Sequence, residues 1–277
     1  MNRIGAIKAT SINLRDLIVD TFPSSMCATA VYCAELIQPV SDQLKGRDFY
    51  IYQSPGNGTD RIVTSFDPAY NKLGFEQPIG SYYNIQTSKF LLFDFFRKTE
   101  YDGVLDRMLG IARTKFLEDR VATLQIVGTQ YEYLVPSGID YINMLRCVPS
   151  LGSDYESIDE TALIFEIAPH YWRIEPNPLG SFVLAFDARK ISMDDFDEDW
   201  LRIMGQSRIN IAATDNATIP AKLEEFIVAG MSMLMASQRI DENREWQSKF
   251  YMFRDMYRDL EQYVFTHRRG KPVGMPV

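Results

Sequence analysis

The sequence predicts an α+β fold in which a helical hairpin or bundle accompanies an antiparallel β-sheet body and a small inserted β meander. Apolar residues recur at helical spacing near both ends of the chain. The middle instead alternates short runs of β-branched and aromatic residues with Gly, Pro, Asn and Asp, which is typical of short strands joined by turns. With 277 residues, 46% of them apolar, the chain can bury a large core.

The first segment, residues 1–46, is predicted to form helices. Pro23 and the two serines after it break the chain, and either serine can cap a second helix that runs to about Leu44. Pro39 is expected to kink that helix or end it early. One face of the first helix would carry the apolar side chains of Leu14, Leu17, Ile18 and Phe22.

Residues 47–80 are predicted to form a small β module. The turn segments between its strands contain Asn57-Gly58 and Asp67-Pro68, which are typical of tight turns. We therefore expect a three-stranded antiparallel meander. Its strands are the runs rich in Tyr, Ile, Val and Phe at 48–53, 60–66 and 72–77.

Residues 81–218 are predicted to form a helix and the main antiparallel sheet. The run 89–97 is so aromatic that it must be buried or lie at an interface. Asp102 is expected to be the N-cap of a helix that continues to about Asp119. We place the following strands in one sheet: 122–127, 130–135, 143–148, 162–168, 171–175, 181–186, 201–204 and 208–212.

Residues 219–267 are predicted to form a helical hairpin. Pro220 suits the first position of one helix, and Asp241 can cap the next. The preceding helix can supply the partner that the second helix needs. The alternative partner is a helix of another subunit, because a helix over 241–267 would be about 40 Å long. Apolar residues recur every three or four positions along this second helix: Trp246, Phe250, Phe253, Tyr257, Leu260 and Val264.

The composition excludes several classes of protein. The longest apolar run, 226–236, is too short to span a bilayer, and the N-terminal region lacks the apolar stretch of a secretion signal. Cys27, Cys33 and Cys147 are too scattered for a disulfide framework or a zinc site. We therefore expect a protein of a reducing compartment, with no membrane contact.

The charge of the chain is unevenly distributed. The net charge is −8, and residues 151–200 contain twelve acidic and three basic side chains. Such a chain is a poor candidate for tight nucleic-acid binding, because neutralised phosphates supply most of that affinity. The last residues, 268–277, instead form a basic extended tail rich in Gly and Pro, which we expect to become ordered on a partner.

No candidate catalytic motif has the residues that its chemistry requires. The Gly-rich segment 54–59 lacks the Lys-Ser/Thr pair of a phosphate-binding loop, and Asp60 follows it. The acidic run 194–199 lacks the glycine of a calcium-binding loop. His170 and His267 have no nucleophile placed beside them by any motif. We predict no enzyme, no cofactor and no metal; the alternative is a carboxylate-dependent hydrolase with coupled carboxylates in a pocket.

The order of the segments is itself informative. A helix at 102–119 precedes a strand that ends in Tyr131-Glu132-Tyr133-Leu134-Val135-Pro136, with Asp140 after it. A strand-rich middle with Trp172-Arg173-Ile174 and Trp200-Leu201-Arg202-Ile203 follows, and Ile219-Pro220 opens the long C-terminal helical pair. This layout resembles the head–tail connector (adaptor or neck) proteins of tailed bacteriophages, which dock beneath the portal ring.

The resemblance implies a structural virion protein made in the host cytoplasm and located in the neck between capsid and tail. It implies a ring of about twelve copies that contacts the portal protein and the tail or next neck protein. Packaged DNA would pass nearby without sequence-specific binding. The alternative within this class is another neck or tail-completion protein.

The resemblance also suggests roles for two sets of side chains. An acidic wall would let DNA slide without sticking, because bound phosphates need cations. The side chains expected to face a DNA conduit or a basic partner are Asp194, Asp195, Asp197, Glu198 and Asp199. The side chains expected to contact partner chains are Trp246, Phe250, Phe253, Tyr257, Arg268, Arg269 and Lys271.

Overall fold

The structure is a computed structural model that describes residues 1–36, 40–53, 58–79, 83–84, 86–149, 165–209, 218–264 and 271–273. It has a mixed α+β fold with antiparallel sheets, as the sequence predicts. The helices in this part of the chain are α1 (Arg3–Leu14), α2 (Lys98–Lys115), α3 (Ala221–Ser237) and α4 (Arg244–Val264). The strands are β1 (Leu17–Thr21), β2 (Ser25–Cys27), β3 (Ala30–Tyr32), β4 (Asp48–Gln53), β5 (Thr59–Asp67), β6 (Lys72–Phe75), β7 (Ser88–Phe93), β8 (Leu117–Gln125), β9 (Glu132–Leu134), β10 (Tyr141–Val148), β11 (Phe165–Ile167), β12 (Trp172–Pro176), β13 (Phe182–Phe186), β14 (Trp200–Arg208) and β15 (Lys271–Pro272).

The chain divides into two compact units. The first unit consists of Met1–Ala112 and Asn210–Val264, and the second unit consists of Arg113–Ile209 and Phe265–Val277. The first unit contains α1, α3, α4 and most of α2 together with β1 to β7, and the second contains the remaining strands.

The first unit is built on a seven-stranded antiparallel sheet of order β1-β7-β4-β5-β6-β3-β2. Its centre, β4-β5-β6, is the predicted meander, which is confirmed in position and pairing. The meander is not a separate sheet, however, because β7 pairs with β4 on one side and β3 pairs with β6 on the other. The rings of Phe75 and Phe90 lie 4.7 and 5.0 Å from that of Phe49, in the core of this sheet.

The predicted second N-terminal helix is wrong, and the first helix is shorter than its apolar spacing suggests. α1 ends at Leu14, after which Arg15 has a left-handed backbone with φ of 57°. Leu17–Thr21 then pairs with β7, a strand about seventy residues further along the chain. The helical spacing of the apolar residues is coincidental, because a remote strand partner decides their conformation. Pro39, the expected kink, lies outside the described residues.

Most of the aromatic run is buried, in line with the expectation that it is buried or lies at an interface. Phe90, Phe93 and Phe96 are buried, whereas Phe95 is 42% exposed. The predicted N-cap at Asp102 is wrong, because α2 begins one turn earlier at Lys98. The backbone N–H of Lys98 donates to Oδ2 of Asp48 at 2.6 Å, so a carboxylate from β4 caps the helix. Asp102 instead accepts from Nζ of Lys98 at 2.7 Å. α2 ends at Lys115 rather than near Asp119, because β8 begins at Leu117.

The second unit contains two antiparallel sheets rather than the single sheet expected. One has the order β11-β10-β14-β8, with β15 also paired to β10, and the other has the order β12-β13-β9. β14 is one continuous strand where two were expected. Residues 162–164 and 210–212 of the expected strands lie outside the described residues. Both sheets contribute to one core, which includes Trp172, Leu184 and Leu201.

The C-terminal helices lie in the first unit. α3 begins at Ala221, one residue after the predicted first position, and Pro220 is its N-cap. The predicted cap of α4 at Asp241 is wrong, because Oδ1 of Asn243 accepts from the backbone N–H of Trp246 at 3.0 Å and the helix begins at Arg244. The ring of Phe226 in α3 lies 4.8 Å from that of Tyr257 in α4, so the apolar sides of these helices meet.

Gly230 marks a close approach between helices. An added Cβ would lie 2.7 Å from Sδ of Met108 in α2 and 3.1 Å from Cδ2 of Tyr257 in α4. We expect Gly230→Ala to lower the free energy of unfolding by about 1–2 kcal/mol, because forced repacking outweighs the gain in helix propensity. Gly110→Ala, where an added Cβ meets nothing within 4 Å, should instead raise it by about 1 kcal/mol. Urea unfolding of both variants tests this, and equal stabilisation of both would contradict it.

Candidate functional site

Helix α4 carries four of the predicted partner contacts, and three of them pack within the chain's own first unit: Trp246, Phe253 and Tyr257. Trp246 and Phe253 are buried. The ring of Trp246 packs edge-on against Phe95 and Phe96, at 5.7 and 5.6 Å. Tyr257 packs against α3, and Phe250 is half-buried beside Tyr251. Contact of these four side chains with a second chain stays a prediction.

A second apolar stripe on α4 is exposed, and the sequence analysis missed it. Met252 and Met256 are 51% and 46% exposed, and Tyr263 is 90% exposed. The three residues lie at positions i, i+4 and i+11, which brings them to one side of the helix. The signal was present in the sequence, but the larger aromatic seam at Trp246 and Phe253 explained α4 without it.

The exposed stripe borders a groove of about 620 Å³ in the first unit. α4 contacts α1 there, since Nζ of Lys249 donates to the carbonyl oxygen of Leu14 at 2.8 Å. The lining of the groove combines apolar side chains with three acidic ones, Glu224, Glu225 and Asp259. The lining side chains from the helices are Ala9, Asn13, Glu224, Glu225, Val228, Ala229, Met256, Asp259 and Leu260.

The acidic residues expected to face a conduit form a compact turn in the second unit. A short 3-10 helix spans Asp194–Phe196. Asp197 accepts from the backbone N–H of Gly128 at 2.8 Å, and an added Cβ at Gly128 would lie 3.0 Å from Cα of Asp194. The hydrogen bond and the close approach to Gly128 therefore define the conformation of this turn. Asp194, Asp195, Asp197 and Glu198 are exposed and Asp199 is half-buried. A position on a conduit wall stays a prediction.

The basic tail is described only at 271–273. Lys271 and Pro272 pair with Ile142 and Tyr141 of β10, and the N–H of Val273 donates to the carbonyl oxygen of Asp140 at 2.7 Å. This part of the tail is thus a strand on the chain's own sheet. Arg268 and Arg269 lie outside the described residues, as do the Gly-rich residues 54–57 and His267.

A polar cleft of about 420 Å³ lies in the first unit. Burial raises the pKa of Asp48 in this cleft to about 6; the N–H of Lys98 opposes the rise, and the charge of Asp60 adds to it. Nothing in the sequence indicates that Asp48 belongs to a cleft, because no motif links it to the start of α2. The cleft is lined by Asp48, Asp60, Arg61, Ile62, Thr64, Glu76, Gln77, Arg97 and Thr99.

Other sites named in the sequence analysis gain no chemical partner among the described residues. The ring of His170 lies 4.2 Å from that of Tyr171. In the described part of the chain, no three His, Cys, Asp or Glu side chains come together as metal ligands. Within the same residues, none of the helices has the length and apolar character needed to cross a bilayer.

No protein-family model matches this chain, and no curated protein matches it by sequence. The function is therefore inferred from the surfaces described above.

Proposed function

We propose that the protein is a structural subunit of a phage neck, a head–tail connector that assembles into a ring beneath the portal. The exposed stripe of α4 carries this proposal. In this proposal α3 and α4 act as a helical hairpin, and one side of α4 is buried in its own unit. The exposed side chains of Met252, Met256 and Tyr263 contact another copy of the chain. Clusters of large exposed apolar side chains are typical of interaction surfaces.

A closed ring needs two different faces on each subunit. The first unit also exposes single apolar side chains in the seven-stranded sheet or next to its strands. Phe22 and Ile62 are 46% and 39% exposed, and Tyr70, in the turn before β6, is 71% exposed. We propose that the α4 stripe of one copy packs on this second surface of the next copy.

The other features fit the same assignment. The acidic turn 194–199 would face DNA, which it repels, and the tail would approach the portal or the next neck protein. The number of copies, about twelve, follows only from the resemblance.

The first experiment is imaging of tagged protein recovered from its native source, by negative-stain microscopy with mass determination. We expect rings, or label at one capsid vertex. A lone particle of about 32 kDa without virion association would overturn the proposal.

A variant pair tests the role of the stripe. We expect the double variant Met252→Glu/Met256→Glu to form rings at least roughly tenfold less well, because two apolar contacts at an interface are replaced by charges. Its melting temperature should stay close to that of the unmodified protein, since both residues are exposed. The control, Gln247→Glu/Gln262→Glu, adds the same charge at other exposed positions of α4. Equal loss of rings in both variants would contradict a specific role for the stripe.

A second candidate function is a carboxylate-dependent hydrolase, favoured by the cleft around Asp48. A buried carboxyl with a raised pKa beside a second carboxylate is a common catalytic arrangement. Asp48, however, already accepts from the backbone N–H of Lys98, which explains its burial as helix capping. The hydrolase proposal predicts that Asp60→Asn abolishes a measurable hydrolytic activity, whereas the capping role predicts no activity to lose.

A further inference from the structure

The five-stranded sheet of the second unit carries a transverse row of polar side chains on the face opposite its core. Arg202 of β14 lies directly opposite Arg146 of β10. Beyond them, Thr123 of β8 pairs with Arg202, and Glu166 of β11 pairs with Arg146. The residues that flank the two arginines along the strands face the core instead: Leu145, Cys147, Leu201 and Ile203.

Arg202 is a buried charge that has no counter-ion among the described residues. It is only 7% exposed. In the described part of the chain, its Nε is buried without a hydrogen-bond partner. An unpaired buried charge is costly, and the group normally finds an opposite charge.

Arg146 adds a second positive charge beside Arg202 and does not neutralise it. Directly opposite residues of paired strands have Cβ atoms about 5 Å apart, and like charges at such positions destabilise a sheet. Arg146 has one ion pair, from Nη2 to Oε2 of Glu166 at 3.8 Å, and Glu166 is mostly exposed. The Nε of Arg146 is also buried without a partner. One distant carboxylate cannot neutralise both guanidinium groups.

We propose that Arg146 and Arg202 form a binding site for a phosphate-type oxyanion. Guanidinium groups bind such anions through paired N–H donors, and two adjacent groups can hold one tetrahedral anion between them. The Thr123 hydroxyl can supply a further donor. The next carboxylate on this face of β8 is Asp119, four residues or about 13 Å along the strand, where it accepts from Gln206.

The surroundings favour such a site. Half-buried Met144 and Met204 lie on one side of the row, and half-buried Trp200 lies on the other. Charges surrounded by apolar side chains interact more strongly than charges in water. The site lies within the second unit alone, and the inference does not depend on the proposed function.

The test uses the full chain in a phosphate-free buffer at low ionic strength, with inorganic phosphate as the probe. We expect phosphate to bind by calorimetry and to raise the melting temperature. Arg202→Met and Arg146→Met should each weaken binding at least tenfold. Arg208→Met is the matched control, because Arg208 lies on the same strand and face but is exposed. If Arg202→Met fails to fold, Arg202→Lys keeps the charge but loses the paired donors, and binding should again weaken.

A second arm replaces phosphate with a short single-stranded oligonucleotide. Binding of both probes, lost together in the arginine variants, assigns the site to a phosphodiester; binding of phosphate alone assigns it to a free anion. The proposal is overturned if phosphate does not bind the unmodified protein, or if it binds the Arg202 and Arg146 variants equally well. Either result would overturn the anion site only, because the ring proposal is tested separately by imaging.

Discussion

Replacing Asp16 with alanine is expected to lower the free energy of unfolding by about 4 kcal/mol, as measured by urea unfolding at pH 7. Asp16 lies between α1 and β1 and is fully buried. Its carboxylate accepts the hydroxyl of Tyr101 at 2.7 Å, and the backbone N–H groups of Asp94 at 3.0 Å, of Phe95, and of Phe96 at 3.4 Å. Without it, the Tyr101 hydroxyl and the N–H groups of Phe95 and Phe96 would lose their acceptor, which is the main cost of the substitution. The N–H of Asp94 keeps a partner, because it also donates to the backbone carbonyl of residue 16 at 2.8 Å.

The ionisation of this cluster is consistent with its geometry. Burial raises the pKa of Asp16, while the hydrogen bonds from Tyr101 and the backbone oppose the rise. Burial also raises the pKa of Tyr101, so its hydroxyl stays protonated and remains a donor. The carboxylate thus joins the end of β7 and the start of α2 to the segment that follows α1.

Two further variants distinguish the role of the Asp16 carboxylate from the general effect of any substitution in this region. Tyr101→Phe removes one donor only, and we expect a loss of about 1–2 kcal/mol. Asp20→Ala, in β1, removes a carboxylate whose partner is Lys8 at a less buried position, and we expect a loss below about 1 kcal/mol. Similar losses for Asp16→Ala and Asp20→Ala would contradict the role assigned to Asp16.

Stability is expected to fall between pH 4 and pH 6 because of Asp48. Its pKa is about 6 in the folded protein and about 3.8 in the unfolded chain, so the folded state holds the proton more tightly over this interval. The contribution of Asp48 to the free energy of unfolding therefore decreases as pH rises from about 4 to about 6 and is constant on either side of this interval. A rise of this size in pKa corresponds to roughly 3 kcal/mol.

The variant Asp48→Asn isolates this effect. Asparagine keeps an oxygen that can accept from the N–H of Lys98, but it does not titrate. Relative to the unmodified protein, the variant should gain roughly 3 kcal/mol between pH 4 and pH 7, measured as a difference of unfolding free energies. Asp60→Asn removes a neighbouring charge and should reproduce a small part of this gain. A difference that stays constant with pH for Asp48→Asn would contradict the raised pKa.

The successes of the sequence analysis rest on local signals. The strands β4 to β6 follow from runs of β-forming residues with Asn-Gly and Asp-Pro between them, and both features act within a few residues. The approximate start of α3 follows from Pro220, which favours the beginning of a helix, although the structure places it at the N-cap rather than at the first helical position. The burial of Phe90 and Phe93 follows from the cost of exposing so many aromatic side chains.

The errors share a different cause. Leu17 and its neighbours have a spacing that fits a helix, but β7 provides a strand partner that no local pattern reveals. The cap of α2 is Asp48, fifty residues before Lys98 in the chain. The pair Arg146 and Arg202 likewise depends on the register of β10 and β14, because a shift of one residue would place the two side chains on opposite faces of the sheet.

The sequence by itself determined the α+β class, the meander at the centre of the first sheet, the existence of both C-terminal helices and the burial of the aromatic run. Only the tertiary structure decided that the N-terminal segment forms strands, that the meander belongs to a seven-stranded sheet, and that the second unit has two sheets. It also decided which side of α4 is exposed and which arginines face each other. Local propensity and turn chemistry act over a few residues, whereas strand partners, remote caps and opposed charges depend on contacts between segments far apart in the chain.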